Sequence, residues 1–303
     1  MIRVSLELNT RFVDLGDEFL TGPAVAEVAS TLESHGFAAC HVTDHPAPDA
    51  GWIDRGGHHA VEPTVALAFA AAATSTLRLL TYVYIAAYRN PLLAAKQVAT
   101  LDLLSGGRLV LGVGAGYMKS EFAALGVDYG ERNELLDETL DVLDRAWTTR
   151  PFAMVGRRFE ARGADLRPAP ASRPRPPVWM GGNSERAMRR AVERCEGWVP
   201  FDSTGIAPNT HTADISSIDD LARRVERCHA LAAEIGRTRP LEVCFAPRGF
   251  LPTDFDAAAE RAKLQALDKA GATWAPLGIA APDRASMLVA IRRYADEVLD
   301  PLR

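Results

Sequence analysis

The chain contains no apolar run long enough to cross a bilayer. The longest, Val65 to Ala73, falls well short of the roughly 20 residues that a membrane-spanning helix needs. The first residues lack the charged and apolar regions of a secretory signal. Cysteine is scarce and no CxxC pair is present, so neither a disulfide framework nor a thiolate metal site is expected. These absences predict a cytoplasmic protein with buried, reduced thiols at Cys40, Cys195, Cys228 and Cys244.

The chain also lacks an excess of positive charge. Its 303 residues carry a formal net charge of −5, which argues against a broad nucleic-acid-binding surface. No serine nucleophile elbow, Walker loop or zinc-protease helix occurs. The partner is therefore expected to be a small molecule, with no nucleic acid and no membrane, and the chemistry is expected to belong to a bound cofactor.

Short apolar segments alternate with amphipathic or alanine-rich stretches along the whole chain. Eight strand-then-helix units in a chain of this length favour one closed (β/α)8 TIM barrel over an open sheet, as a single domain spanning residues 1–303. The eight segments are Arg3 to Leu8, Ala38 to Thr43, Leu77 to Ile85, Leu109 to Val113, Val178 to Met180, Gly197 to Phe201, Leu241 to Ala246 and Thr273 to Ile279.

Helix boundaries are marked by capping residues and glycines. Asn90 before Pro91 and Glu62 before Pro63 predict helix starts. Other helices are expected to end at a glycine in the left-handed conformation. These glycines are Gly36, Gly106, Gly197, Gly236 and Gly271.

Two connections are longer than a minimal barrel requires. Thr148 to Pro177, after strand 4, is rich in proline and arginine, and Asp202 to Ser216, after strand 6, is polar and has no periodicity. Both are interpreted as insertions that could act as lids. For the first, a stiff surface connector is the favoured interpretation.

A glycine-rich segment begins within the fourth strand. Leu109 to Val113 shows no alternation, as expected for a parallel strand covered on both faces. Gly112, Gly114 and Gly116 do not form the dinucleotide fingerprint, because Tyr117 stands where its third glycine should be. A tight turn and a close backbone approach to a ligand both explain these glycines. The site is expected at the carboxyl end of this strand.

Two other strand ends carry residues suited to chemistry. His45 follows the second strand and is a candidate proton donor or acceptor, with Asp44 as a cofactor or orienting contact. Gly181 to Ser184 opens a helix whose free N–H groups favour an anion such as phosphate, although an empty helix start has the same pattern. His58 and His59 lack further ligands at metal spacing, so no metal is expected. They are interpreted as solvated loop residues, and a position lining the entrance to the site is the alternative.

Taken together, these segments resemble the luciferase-like monooxygenase superfamily, in the branch of oxidoreductases that depend on the deazaflavin coenzyme F420. The resemblance covers nearly the whole chain to about Phe201. The motifs that carry it are Thr43 to His45, Tyr88 to Pro91, Ala99 to Arg108, Gly112 to Tyr117 followed by Glu121 and Phe122, and Val178 to Ser184.

The resemblance implies a TIM-type barrel, usually homodimeric, with the cofactor ring at the carboxyl ends of the strands. Asp44 and His45 inherit contact with the ring region, and His45 a proton-transfer role. A non-proline cis peptide is implied at Tyr82-Val83, preceded by Thr81 and backing the ring. The residues that would line the cofactor or bind its phosphate are Gly114, Ala115, Gly116, Tyr117, Gly181, Gly182, Asn183 and Ser184.

The resulting hypothesis is hydride transfer between F420 and an unidentified small organic substrate, with His45 moving the proton. An FMN-dependent monooxygenase fed by a separate reductase and a non-catalytic flavin-binding barrel are the alternatives. Arg167 to Arg175 is expected to meet the anionic tail of the deazaflavin. Four aromatic residues near strand ends suggest either pocket walls or core: Trp52, Tyr84, Trp198 and Trp274.

Overall fold

The computed structural model describes residues 1–204 and 213–303. The strands in these residues are β1 (Arg3–Glu7), β2 (Ala39–Val42), β3 (Arg78–Thr81), β4 (Tyr84–Ile85), β5 (Leu109–Gly114), β6 (Phe152–Val155), β7 (Glu160–Ala164), β8 (Val178–Gly181), β9 (Gly197–Val199), β10 (Glu242–Val243), β11 (Leu251–Pro252), β12 (Trp274–Leu277) and β13 (Ile279–Ala280). The α-helices are α1 (Gly22–Ser34), α2 (Ala50–Asp54), α3 (Pro63–Ala73), α4 (Pro91–Leu104), α5 (Lys119–Ala124), α6 (Arg132–Ala146), α7 (Glu185–Arg194), α8 (Ile218–Glu234), α9 (Ala257–Lys269) and α10 (Arg284–Tyr294).

Eight strands form one parallel sheet in the order β10, β9, β8, β5, β3, β2, β1, β12. A bridge between Cys244 and Trp274 joins the two ends of this sheet. Two backbone hydrogen bonds support the bridge, from Thr273 N–H to the Val243 carbonyl and from Phe245 N–H to the Trp274 carbonyl. The predicted TIM barrel is confirmed, and each of the eight strands falls on one predicted segment to within one residue at its end, with β4 lying in the same segment as β3.

The inside of the barrel changes in character between its two ends. Near the amino end, Trp179 and Trp274 stack edge to face with ring centroids 5.2 Å apart. Farther along the strands, the buried side chains of Ser5, His41 and Glu7 are polar. Because parallel strands bring their carboxyl ends to the same rim, the polar end is the place for a ligand site.

The helices surround the barrel, and most predicted caps are confirmed. Asn90 and Glu62 accept backbone N–H groups of the first turns of α4 and α3. Gly197 is the exception, because it is the first residue of β9, and a Cβ there would lie 2.4 Å from Cδ1 of Trp179. It is needed for packing, so the prediction that it ends a helix is wrong. The other four predicted glycines have positive φ and follow helix ends, as expected: Gly36, Gly106, Gly236 and Gly271.

The predicted insertion from Thr148 to Pro177 lies between α6 and β8. It contains the antiparallel hairpin β6–β7. Near the amino end of β5, the backbone and hydroxyl of Ser172 donate to the two oxygens of Asp102, at 2.8 and 3.0 Å. The segment returns the chain from a helix to the amino ends of the strands, so the lid interpretation is wrong and the favoured connector interpretation fits. The second predicted insertion, Asp202 to Ser216, includes residues 205–212, which lie outside the described residues.

All four cysteines are buried and unpaired, as predicted. Burial raises the pKa of Cys40 and of Cys195 to about 12, so these thiols stay protonated near neutral pH. Among the described helices, none is both long enough and apolar enough to cross a membrane.

Candidate active site

His45 lies beyond β2 and is held by a buried carboxylate. Its Nδ1 is 3.1 Å from Oε2 of Glu121, in α5. The same Oε2 accepts the hydroxyl of Tyr88 at 2.9 Å, and Oε1 accepts the backbone N–H of Ala47 at 3.0 Å. Glu121 therefore joins the connections that follow β2, β4 and β5.

The hydrogen bonds at Glu121 determine which ring nitrogen of His45 carries the proton. Burial by itself favours the protonated acid, but the bonds from His45, Ala47 and Tyr88 outweigh burial and hold the pKa of Glu121 below its ordinary value of 4.5. An ionised carboxylate can only accept hydrogen bonds, so His45 must donate through Nδ1. In the neutral ring the lone pair then lies on Nε2, which has no hydrogen-bond partner within residues 1–204 and 213–303. This nitrogen can accept a proton.

Asp44 is buried and fully engaged by protein groups. Nη1 and Nη2 of Arg89 donate to its two oxygens at 2.6 and 2.9 Å, and the backbone N–H of Ile85 donates at 2.8 Å. Burial opposes the charge of Arg89, but the bonds with Asp44 prevail and raise the arginine pKa. These contacts give Asp44 an orienting role between β2 and β4, and its contact with a cofactor stays a prediction.

Three rings surround the imidazole of His45. The ring centroids of Trp52, His58 and Tyr117 lie 4.7, 4.9 and 6.1 Å away. Burial lowers the pKa of His58 to about 3, with a further contribution from the charge of Arg11. His58 is therefore neutral near pH 7 and packs beside His45, so the alternative that it lines the site fits and the interpretation as a solvated loop residue does not.

His59, by contrast, is exposed, and its carbonyl accepts a hydrogen bond of 2.9 Å from Nδ1 of His58. In the described part of the chain, no group of three or more His, Cys, Asp or Glu residues is arranged to hold a metal ion.

The third barrel strand is interrupted where the resemblance implies. The Tyr82-Val83 peptide bond between β3 and β4 is cis. The hydroxyl of Thr81 donates to the carbonyl of Gly112 at 2.8 Å. The backbone N–H of Tyr82 donates to the carbonyl of Val42 at 2.8 Å. These bonds hold the bulge against both neighbouring strands.

Val83 is the point at which three strand ends meet. A Cβ on Gly114 would lie 3.0 Å from Cγ2 of Val83, and one on Gly181 would lie 3.3 Å from both of its methyl groups. A Cβ on Gly112 would lie only 2.2 Å from the carbonyl oxygen of Thr81. Close packing against the bulge therefore requires these glycines, whether or not a ligand is bound.

Gly116 turns the chain out of β5. Its φ is 82°, and a Cβ there would lie 2.8 Å from Cγ2 of Ile85, so the turn explanation holds at this position. The turn leaves Ala115 half-buried and brings Tyr117 beside His45.

The predicted phosphate loop, Gly181 to Ser184, has its polar side chains engaged with protein. The Asn183 side chain donates to the carbonyls of Phe201 and Ala213 at 2.9 and 3.1 Å and accepts the N–H of Phe201 at 2.9 Å. Ser184 caps the first turn of α7. Asn183 thus ties the loop after β8 to the loop after β9. Phosphate binding stays a prediction that rests on the glycine pair at the helix start.

The predicted residues after the second, third, fourth and fifth barrel strands therefore lie together at one rim. Glu121, Tyr88 and Arg89, which position His45 and Asp44, are not predicted as site residues from the sequence. They stand inside the motifs that carry the family resemblance, and that is the signal that could have identified them.

The aromatic residues suggested for the pocket divide into two groups. Tyr84, Trp198 and Trp274 are each at most 1% exposed and belong to the core. Trp52 is the one that contacts His45.

The arginine-rich segment lies at the opposite end of the barrel. Arg175 donates to Asp144 and Glu196 at 2.7 and 2.8 Å. Glu196 also accepts the backbone N–H of Val178, the first residue of β8. The expectation that Arg167 to Arg175 meets the cofactor tail is therefore wrong, because this segment is remote from the carboxyl ends of the strands.

Comparison with known proteins gives matches along most of the chain. The family described as luciferase-like monooxygenase matches residues 17–296. An uncharacterized protein of Mycobacterium tuberculosis, Rv0953c, is 31% identical over 196 residues, covering 60% of this chain and 68% of the relative. The 4-hydroxyprotoasukamycin monooxygenase of Streptomyces nodosus subsp. asukaensis is 34% identical over 215 residues, covering 70% and 54%. The FMNH(2)-dependent dimethylsulfone monooxygenase of Pseudomonas putida is 37% identical over 112 residues, covering 36% and 31%.

Solved structures share the fold at low sequence identity. The coenzyme F420-dependent tetrahydromethanopterin reductase of Methanopyrus kandleri has a TM-score of 0.75 at 18% identity, covering 100% of this chain and 99% of that chain. An F420-dependent secondary alcohol dehydrogenase has a TM-score of 0.76 at 16% identity, covering 98% of each chain. The FMN-bound oxygenating constituent of 3,6-diketocamphane monooxygenase from Pseudomonas putida has a TM-score of 0.72 at 17% identity, covering 98% of each chain.

Proposed function

The chain belongs to the luciferase-like monooxygenase family, and we propose that it is a cytoplasmic oxidoreductase that transfers a hydride between the deazaflavin coenzyme F420 and a small organic substrate. When bound, the deazaflavin supplies or takes up the hydride. Two structural neighbours depend on F420 according to their names. The buried, unpaired cysteines suit a reducing compartment.

The observation that carries the proposal is the hydrogen bond between His45 and the ionised carboxylate of Glu121. It leaves Nε2 as the proton acceptor of the neutral ring. When a substrate hydroxyl is oxidised, its proton goes to Nε2 as the hydride leaves the carbon, and in the reverse direction Nε2 returns the proton. The buried negative charge of Glu121 stabilises the imidazolium that forms.

The residues that meet at the rim fit a bound ring. Tyr82 and Val83 would back it, Gly114 to Tyr117 and Asp44 would line it, and Gly181 to Ser184 would bind its phosphate at the start of α7. Support for this assignment comes from the meeting of β5 and β8 with the bulge at Val83, which brings these loops to one rim.

FMN-dependent monooxygenation is the second candidate, favoured by the names of two similar proteins. The pair of His45 and Glu121 favours hydride transfer, because oxidation of a hydroxyl needs a proton acceptor beside the reacting carbon. A non-catalytic barrel has no use for an ionised carboxylate kept out of water at a substantial desolvation cost.

The cofactor is tested by offering the protein an equimolar mixture of F420 and FMN and identifying what it retains. Retention of F420 is expected. Tight FMN binding without F420 binding would overturn the choice of cofactor.

The role of His45 is tested by comparing binding with turnover. His45→Ala should retain F420 while losing about 10²- to 10⁴-fold in reduction of bound F420 by a panel of small alcohols. His59→Ala, at an exposed neighbouring position, is the matched control and should keep both. Loss of F420 binding together with turnover in His45→Ala would contradict a proton-transfer role.

We also propose that the protein is a homodimer that pairs through α3 and α4. Val65 and Phe69 on α3 and Leu93 and Leu104 on α4 are between 52% and 76% exposed. An apolar patch of this kind is typical of an interface. Phe69→Glu should convert the dimer to monomer in light scattering, and a monomeric wild-type protein would refute the proposal.

A further inference from the structure

Arg11 stands over the polar end of the barrel because the chain turns back sharply after β1. Asn9 has φ 57°, and its side chain donates to the carbonyl of Ile279 at 2.8 Å. The turn places Arg11 over Glu7, four residues earlier, with Nε 2.5 Å from Oε1. The Arg11 side chain is 19% exposed and that of Glu7 is 5% exposed.

The pair of Arg11 and Glu7 lies at the mouth of the barrel beside an aromatic ring. The Arg11 guanidinium lies over the ring of Phe250, 5.1 Å from its centroid. Burial raises the pKa of Glu7, and the charge of Arg11 offsets only part of this effect. The arginine is therefore the more accessible member of a charge pair whose acidic member is sealed inside the barrel.

Arg11 has hydrogen-bond donors in addition to the one that it gives to Glu7. Its Nε is the nitrogen that bonds Glu7, and within the described ranges neither terminal nitrogen has a hydrogen-bond partner. A guanidinium presents two parallel terminal N–H groups that match the oxygens of a carboxylate or phosphate. Neither terminal nitrogen is among the buried unpartnered atoms of the described residues, so both are accessible to a ligand at the mouth of the barrel.

The positive charge of Arg11 reaches the rings around His45. It contributes to the low pKa of His58. Burial raises the pKa of Tyr117 to about 12, although Arg11 and the exposed Arg248 both act to lower it. His58 and Tyr117 each pack on the imidazole of His45. The strand register gives the geometry: Glu7 lies opposite His41, whose ring centroid is 5.1 Å from that of Tyr82 in the bulge, so a group bound by Arg11 lies at the same rim as His45.

We propose that Arg11 recognises an anionic group, such as a carboxylate, sulfonate or phosphate, on the substrate of this enzyme. The proposal rests on the function given above and narrows its substrate class to small organic anions. The terminal nitrogens of Arg11 bind the anion, Glu7 fixes the guanidinium, and the reacting carbon is held next to His45. Arg11 thereby determines specificity, whereas the chemistry belongs to His45 and the cofactor.

Benzoate and its neutral counterpart benzamide are the probes, titrated calorimetrically into the protein alone and into the protein loaded with F420 or FMN. The wild-type protein should bind benzoate and discriminate against benzamide. Arg11→Gln should weaken benzoate binding by about 10- to 100-fold, the loss expected for hydrogen bonds to a charged group, and Arg11→Lys should retain part of it. Arg162→Gln, on the exposed hairpin, is the charge-matched control and should bind benzoate like the wild-type protein.

A second variant distinguishes loss of benzoate binding from misfolding, which Arg11→Gln could cause because it leaves Glu7 buried without its partner. The double variant Glu7→Gln/Arg11→Gln removes both charges, so it should keep the wild-type unfolding midpoint and still fail to bind benzoate. Glu7→Gln alone leaves Arg11 uncompensated and should tighten benzoate binding.

The outcomes separate the possible sources of the anion. Persistence of benzoate binding in the cofactor-loaded protein supports the substrate assignment. Displacement of benzoate by F420 or FMN would assign the anion to the cofactor and overturn the proposal, as would unchanged benzoate affinity in a folded double variant. Arg11-dependent benzoate binding by a protein that takes up neither cofactor would support the anion subsite while refuting the proposed function.

Discussion

Replacing Glu121 by glutamine should move the proton of His45 from Nδ1 to Nε2. The carboxylate accepts three donors, from Ala47, His45 and Tyr88, at 3.0, 3.1 and 2.9 Å. A glutamine side chain has one oxygen and one NH2 group, so it cannot accept all three. If its NH2 faces Nδ1, the imidazole must accept there and carry its proton on Nε2.

The expected loss in the free energy of unfolding follows from the same count of hydrogen-bond donors. Whichever way the amide points, at least one donor at this buried position loses its acceptor, which costs about 1–3 kcal/mol in the free energy of unfolding. The pKa of Glu121 is depressed, so its stabilising contribution is present above the unfolded-state value of 4.5 and is lost as the pH falls through the folded-state value. The difference in the free energy of unfolding between wild-type protein and Glu121→Gln should therefore shrink as the pH falls below about 4.5.

The assay is nitrogen NMR of the histidine rings, which reports the protonated nitrogen directly, together with urea unfolding at several pH values. The chain has 7 histidines, so the His45 signals are assigned by their loss in His45→Ala. A wild-type His45 that carries its proton on Nε2 would refute the reasoning. An unchanged proton position and unfolding curve in Glu121→Gln would refute it equally.

Three further predictions follow from buried contacts. Arg89→Ala leaves the carboxylate of Asp44 unpaired and should lower the free energy of unfolding by about 3–5 kcal/mol in urea titration, and a loss below 1 kcal/mol would contradict the buried pair. Gly112→Ala forces a methyl group to within 2.2 Å of the Thr81 carbonyl and should cost at least about 1–3 kcal/mol, whereas a neutral result would argue against this close approach. His58, with a pKa of about 3, should show no titration between pH 5 and 8 in the same NMR spectra, and a midpoint in that range would contradict its packing against the rings of His45 and Trp52.

Much of the barrel follows from short-range patterns in the sequence. A parallel strand covered on both faces has no alternation, so runs such as Leu109 to Val113 identify the strands directly. The third strand is predicted as one continuous segment, Leu77 to Ile85, but Tyr82 and Val83 divide it into β3 and β4. Apolar composition is the same on both sides of the bulge, and the position of the break comes from the resemblance.

The parts of the site that depend on long-range packing are less accessible from sequence. The contact between His45 and Glu121 spans 76 positions, and no local pattern connects these two residues. Gly112 differs from other glycines because the carbonyl of Thr81, from the neighbouring strand, fills the space of its Cβ. Only the pairing of strands shows this requirement.

Polar composition also fails to distinguish the two ends of the barrel. Thr148 to Pro177 is as polar as a ligand-binding loop, yet it follows a helix and returns to the opposite end from the site. The end at which a connection lies depends on whether a strand or a helix comes directly before it, and composition does not record this.

The uneven filling of the barrel has a consequence for adaptation. The tryptophan pair and its neighbours fill the lower half of the barrel, at the amino ends of the strands, where replacing a side chain would destabilise the whole fold. Positions 7 and 11 occupy the upper half and carry opposite charges, so replacing both together alters what enters the mouth more than it weakens the base. A library that varies these two positions jointly is therefore a direct route to variants with altered substrate preference that still fold.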